Sequence, residues 1–234
     1  SNVITANNGS GDGGNLTIKA GRSVLVNANI TTDNGNLTLK ANETNANGAV
    51  NQRDSGAAAI TLASGTTINV GTGVFTASMD TGAGKTNTNS GDITLSNVTA
   101  GSLVVNNGGN TSGSDILDNG VLTIAGTSSF TTSVSNAVIT LDSANAFTGA
   151  VTINTTGSSG NATIDNGTTA FNVAASSVGG NLTLTSGNSI TDSGTLTVGG
   201  NLAAITDANS GLINLGTLAV DGTVALTTNG SGNA

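Results

Sequence analysis

Apolar and polar residues alternate along this chain in short bursts, and the bursts recur at a near-constant interval. Residues 179–185 read Gly179-Gly180-Asn181-Leu182-Thr183-Leu184-Thr185. A turn, Ser189-Ile190-Thr191, another turn and Thr195-Leu196-Thr197-Val198 follow. The cycle restarts at Gly199-Gly200-Asn201-Leu202 and closes at Asp221-Gly222, intervals of 20 and 22 residues. Alternation with period 2 predicts strands with one buried face, so Leu182 and Leu184 point inward and Thr183 outward. A unit this small cannot close a core alone. It buries its apolar face by stacking on a like unit above and below.

The same phrase runs from end to end. It appears as Gly14-Asn15-Leu16-Thr17-Ile18 and, 21 residues on, as Gly35-Asn36-Leu37-Thr38-Leu39. Variants occur at Ala59-Ile60-Thr61-Leu62, Asp92-Ile93-Thr94-Leu95 and Val138-Ile139-Thr140-Leu141. Ala150-Val151-Thr152-Ile153 and Asn161-Ala162-Thr163-Ile164 lie half a cycle apart, so they are expected to be two strands of one rung. The pattern predicts an all-β parallel solenoid of residues 1–234, with three short strands and about 20–22 residues per rung. Ten or eleven rungs would make a rod roughly 50 Å long at the spacing of a strand ladder. Residues 41–57, 79–91 and 106–119 are polar and break the rhythm, which predicts loops projecting from the rod. Almost no helix is expected. Neither end shows a capping helix, which predicts a segment of a longer rod or one that stacks end to end.

Asn-Gly pairs at Asn8-Gly9, Asn34-Gly35, Asn119-Gly120 and Asn166-Gly167 allow a second reading, an antiparallel sandwich of hairpins. Both residues equally supply the left-handed corners of a solenoid. The 20-residue cycle favours corners, and the lack of Tyr, Trp and Pro does not suit an immunoglobulin-like sandwich.

Composition narrows the picture. Only 8% of residues are charged and 2% aromatic, and there is no Cys, His, Trp, Tyr or Pro. The low charge argues against simple disorder, and small aliphatic residues suit a narrow continuous interior. Without Cys there is no disulfide framework and no thiolate metal site. No apolar run is long enough for a membrane-spanning helix. No basic start with a following apolar stretch is present, so a mature form or a fragment is expected. The five cations, Lys19, Arg22, Lys40, Arg53 and Lys85, all precede residue 86, and eight Asp without a cation follow. The net charge of −8 disfavours nucleic acid and anionic membrane as partners.

Several phrases carry a family resemblance: Gly-Asn-Leu-Thr at 14–17 and 35–38, Gly-Asp-Ile-Thr-Leu-Ser-Asn-Val-Thr-Ala-Gly-Ser-Leu at 91–103, and Leu-Thr-Val-Gly-Gly-Asn-Leu at 196–202. They resemble the shaft repeats of filamentous haemagglutinin-like and high-molecular-weight adhesins exported by two-partner secretion. The resemblance covers most of the chain outside the three loops. It implies a right-handed parallel β-helix, an outer-membrane transporter as export partner, and a place on the bacterial surface. The family's secretion domain carries an Asn-Pro-Asn motif, and this chain has no Pro.

Candidate chemistry is sparse. Asp115 and Asp118 are the closest carboxylate pair for glycoside hydrolysis and read first as a solvated acidic turn in a predicted loop. With no His base and no aromatic platform for a sugar, no catalytic residue is assigned and the chain is expected not to be an enzyme. Gly9-Ser10-Gly11-Asp12-Gly13-Gly14 echoes a calcium repeat once, and oxygens at 79–91 or 115–118 suit weak Ca²⁺ binding. Turn chemistry explains these residues equally well, so no metal or cofactor is assigned. Twelve Asn-x-Ser/Thr sequons, among them Asn15, Asn36, Asn161 and Asn181, permit glycosylation. With 33 Asn and 64 Ser or Thr in 234 residues, chance alone yields about nine. The strand-centre residues Thr17, Thr38, Thr61, Thr94, Thr183 and Thr197 are expected to form one outward column, for which β propensity is a simpler cause than ice binding.

The expected function is a structural shaft of a secreted surface adhesin, holding binding regions toward a host or neighbouring cell. Two alternatives stand beside it. One is a receptor- or glycan-binding segment acting through the loops at 41–57 and 79–91. The other is a self-assembling extracellular filament subunit.

Overall fold

The structure, a computed structural model, describes residues 3–4, 13–43, 55–84 and 87–234, with the backbone alone at 3–4, 208 and 209. Its strands are short because the alternating runs are short. In Leu37–Ala41 the apolar Leu37, Leu39 and Ala41 are buried while Thr38 and Lys40 are half-exposed. Leu182–Ser186 repeats that burial pattern. β-branched Thr on the outer face fits a pleated, half-buried surface. Among the described residues there is no helix.

The strands stack rung on rung into three parallel sheets, so the chain is a β-solenoid. The first sheet takes Val3–Ile4, Ile30–Thr31, Thr67–Asn69, Asn97–Ala100, Leu122–Ile124 and Ala146–Phe147. The second begins with Leu16–Lys19, Leu37–Ala41, Val74–Met79, Ser102–Asn107, Ser128–Ser135 and Val151–Thr156. The third has nine strands, one per rung: Val24–Val26, Ala58–Leu62, Ser90–Leu95, Ile116–Asp118, Ile139–Leu141, Ala162–Asp165, Leu182–Ser186, Leu202–Asn209 and Val224–Asn229. In the last three rungs the opening strands Phe171–Val173, Ile190–Asp192 and Ile213–Asn214 join the second sheet through Val151–Thr156. That strand also pairs with Ser176–Val178, which Leu196–Val198 and Leu218–Val220 follow. Parallel pairing among the described strands removes the hairpin sandwich; Asn34-Gly35, Asn119-Gly120 and Asn166-Gly167 sit at corners between strands, and Asn8-Gly9 lies outside the described residues.

Two expectations need correction. The described residues form nine rungs rather than ten or eleven, with a stacked length of roughly 40 Å. The difference arises because rungs vary in length: corresponding residues lie 20 apart between Asn161 and Asn181 but 38 apart between Asn36 and Val74. Nor do the central Thr residues share one column. Thr17 and Thr38 stack on the second sheet, Thr61 and Thr94 on the third. Thr183 continues the third and Thr197 lies on the second.

The interior is one continuous stack of side chains from Val24 to Ile213. Phe75, Phe130, Phe147 and Phe171 are fully buried in it. Phe130 and Phe147 meet edge to face, with centroids 5.6 Å apart. Burying each of these rings contributes about 1.5–3 kcal/mol.

Candidate functional site: the insertion edge

The corner between the second and third sheets is where the rod departs most from its own repeat. In rungs two to four the chain leaves the second sheet at Ala41, Met79 and Asn107 and re-enters the third at Ala58, Ser90 and Ile116. Because the strands pair in register, the three insertions emerge one above another. Strand takes up the edges of the expected loops. Met79 and Ser90–Gly91 are strand, as are Asn106–Asn107 and Ile116–Asp118. Residues 44–54 and 85–86 of these loops lie outside the described residues.

Side-chain amides tie the insertions together. Asn42, in the left-handed region at φ 55°, donates from Nδ2 to the carbonyls of Asp80 (2.8 Å) and Thr88 (3.0 Å). Asn110 Nδ2 reaches down to Thr81 O (2.9 Å) and Thr88 Oγ1 (3.0 Å). Its backbone N–H donates to Ser90 Oγ at 2.7 Å, and Ser90 Oγ lies 2.8 Å from Ser114 Oγ. The buried Asn107 Nδ2 donates to Gly91 O and Asp115 O. Each loop is therefore bonded to the next, although nothing in their sequences alternates.

Charge gathers at the lower end of this edge. Lys19 and Lys40 occupy adjacent rungs of the second sheet, and Lys40 Nζ lies 3.8 Å from the buried Glu43 carboxylate. Burial pushes the Asp80 carboxyl above its ordinary value, and Glu43 adds to the rise while Lys40 and Lys19 oppose it. Higher up, Asp92 Oδ1 accepts from Asp115 N (3.0 Å) and Asp115 Oδ1 from Val138 N (2.8 Å). Burial also raises Asp92, which the Asp115 amide opposes and the Asp115 charge reinforces.

Asp115 and Asp118 are not a solvated pair. They stand at opposite ends of one strand turn and serve different corners. Asp118 is strand, half-buried, accepting from Asn145 Nδ2 (2.8 Å) and Ser143 N (3.4 Å). Burial raises its carboxyl in spite of those donors. Among the described residues no three acidic side chains converge as metal ligands do. Residues 9–12 of the calcium-like phrase lie outside the described residues.

The sequon asparagines belong to a different arrangement. Asn15 Oδ1 accepts the N–H of Asn36, and Asn36 Oδ1 accepts that of Val74, both at 2.8 Å. Asn161 does the same for Asn181, Asn181 for Asn201, and Asn201 for Thr223. Each corner Asn thus meets the amide that opens the equivalent strand of the next rung. The next residue points inward and must be apolar, and the one after points outward and favours Thr. Asn-apolar-Thr is therefore what a ladder corner dictates, and it happens to spell a sequon. Sequence reasoning missed this ladder, although the 20-residue spacing of Asn161, Asn181 and Asn201 was its visible trace.

A protein-family model described as repeats of unknown function (DUF5649) matches residues 81–154 and 159–209. No curated protein and no solved structure matches the chain.

Proposed function

Since the chain belongs to this family of repeats, which accounts for over half of its length, we propose that it is a rod whose task is mechanical: the shaft of a secreted bacterial surface adhesin. The observation that carries this reading is the unbroken core from Val24 to Ile213, enclosed by stacked parallel sheets. Every rung is held to its neighbours by strand hydrogen bonds and by corner side chains, so bending the rod would break many bonds at once. Such a body transmits force and sets a distance. Export by an outer-membrane transporter and display toward a host or neighbouring cell rest on the resemblance to haemagglutinin-like shafts, not on the geometry.

The test is to delete residues 181–200, one ladder unit, in the full-length surface protein. A shaft keeps its adhesion and loses one rung of reach, measured by force spectroscopy on whole cells. Abolished adhesion with the rod still folded would sink the proposal.

One observation favours a second reading, in which this segment itself binds a receptor or glycan. The insertions in rungs two to four are cross-bonded by Asn42 and Asn110 into a single polar ridge. Replacing 80–89 with a short turn separates the two. Adhesion survives that change in a shaft and is lost from a binding segment.

A further inference from the structure

Five Asn-Gly steps fall among the described residues: Asn34-Gly35, Asn107-Gly108, Asn119-Gly120, Asn166-Gly167 and Asn229-Gly230. An Asn followed by Gly is the step at which a backbone can attack its own side chain, because Gly has no Cβ to hinder the approach. The attack needs two freedoms. The glycine nitrogen must not be engaged as a donor, and the Asn amide must be able to swing toward it.

The fold removes one or both freedoms at four of the five steps. Gly35 N donates to Thr32 O, and Asn34 Oδ1 accepts from Thr72 N, each at 3.0 Å. Gly108 N donates to Met79 O, while Asn107 is fully buried and bonded to Gly91, Asp115 and Gly109. Gly167 N donates to Asp165 Oδ1 at 2.7 Å. Asn166, also fully buried, bonds to both backbone groups of Phe147 and to the carbonyls of Thr169 and Ala170. Asn229 is anchored through Nδ2 to Asp207 O at 3.1 Å.

Asn119-Gly120 differs. Asn119 is exposed, and its backbone N–H is spent on Leu95 O at 2.9 Å. Neither its side chain nor Gly120 N has a protein hydrogen bond among the described residues. The corner is held instead by its neighbour, Val121 N donating to Asn97 Oδ1 at 3.1 Å. We infer that Asn119 is a spontaneous modification site, where the side-chain amide is lost to the backbone while the other four steps are protected by the ladder. Gly120 nitrogen bonds to Asn119 Cγ, the Cγ–Nδ2 bond breaks, and ammonia leaves with the proton that Gly120 gave up. Water then opens the succinimide at either carbonyl, leaving aspartate or isoaspartate. The product places a carboxylate beside Asp118, in a corner where burial already holds one carboxyl high.

The experiment is peptide mapping by mass spectrometry of folded protein aged in mildly alkaline buffer, with a parallel sample aged in denaturant. The expected result is loss of the Asn119 amide in the folded sample with Asn34, Asn107, Asn166 and Asn229 retained. In denaturant all five convert together, since each is followed by Gly. Asn119→Gln removes the folded-state product without touching the corner backbone. Conversion of any of the other four ahead of Asn119 in the folded sample overturns the inference. So does an Asn119 preference that persists in denaturant, because the order would then owe nothing to the fold.

Discussion

The corner between the second and third sheets is built in two ways along the same edge. In rungs two to four it carries insertions, joined by side-chain amides. In rungs six to nine it is stripped almost to bare backbone. There Gly180 N donates to Gly160 O, Gly200 N to Gly180 O and Gly222 N to Gly200 O, at 2.9–3.0 Å. A Cβ on Gly179 would come within 2.5 Å of Gly157 O, and one on Gly199 within 2.5 Å of Gly179 O. One stretch gains surface and variety, the other gains regularity. The difference shows what a solenoid requires at a corner: satisfied backbone groups, by whichever donor is at hand. Where the chain is shortest, backbone meets backbone. Where it wanders, Asn and Ser side chains substitute.

The largest effect should come from filling the bare edge. Gly179→Val is expected to cost about 3 kcal/mol, the upper range for overpacking, because the obstructing atoms are backbone and cannot rotate away. Gly113 on the insertion edge makes the contrasting case. It has nothing within 4 Å of a Cβ but sits at φ 80°. Gly113→Ala should cost about 1 kcal/mol through conformation alone. Urea denaturation of both variants compares the two. Equal costs would mean that the close approach at Gly179 relaxes freely.

Next in size is the corner ladder. Asn181→Ala removes one acceptor from Asn201 N and should lower stability by about 1 kcal/mol. Asn110→Ala on the insertion edge breaks bonds between loops and leaves the core untouched. Its global stability should stay within about 0.5 kcal/mol of the parent. Amide hydrogen exchange should nevertheless quicken across 80–89, since local opening is governed by local bonds. Unchanged exchange there would mean that the ridge is not held by Asn110.

The two halves of this edge were not equally legible in the sequence. The regular rungs could be read residue by residue, because Leu182, Thr183 and Leu184 face in, out and in by the geometry of a strand alone. The half-cycle spacing of Val151 and Ala162 likewise placed them on two sheets of one rung. Rung number was not legible, since an insertion lengthens the interval without adding a strand, as between Asn36 and Val74. The cross-bonds of Asn42 and Asn110 were hidden for a related reason. They join residues 46 and 29 positions apart, and only the stacking of loops brings them together. Asp118 misled because a strand placed it in a half-buried corner where its polarity had suggested a loop.

That carboxylate sets the smallest and most specific test of the comparison. Asp80 and Asp92 on the insertion edge, and Asp118 at the far end of its last strand, all have raised carboxyls, chiefly through burial. A raised carboxyl means that the folded protein holds its proton where the unfolded chain has released it. The stability such a group contributes is complete below the ordinary value of 3.8 and is lost as pH rises through the folded value. These three should therefore make the rod more resistant to urea as neutral solution is acidified toward the ordinary carboxylate range. In the regular rungs the corner acceptors are the uncharged Asn161, Asn181 and Asn201. Asp118→Asn copies that solution at an insertion-bearing rung, since the amide oxygen still accepts from Asn145 or Ser143 without an ionised form to desolvate. It should raise the urea midpoint at neutral pH and leave it unchanged in acid below the ordinary value. A lower midpoint at neutral pH would show instead that the Asn145 hydrogen bond depends on the charge, and that burial is not what decides this corner.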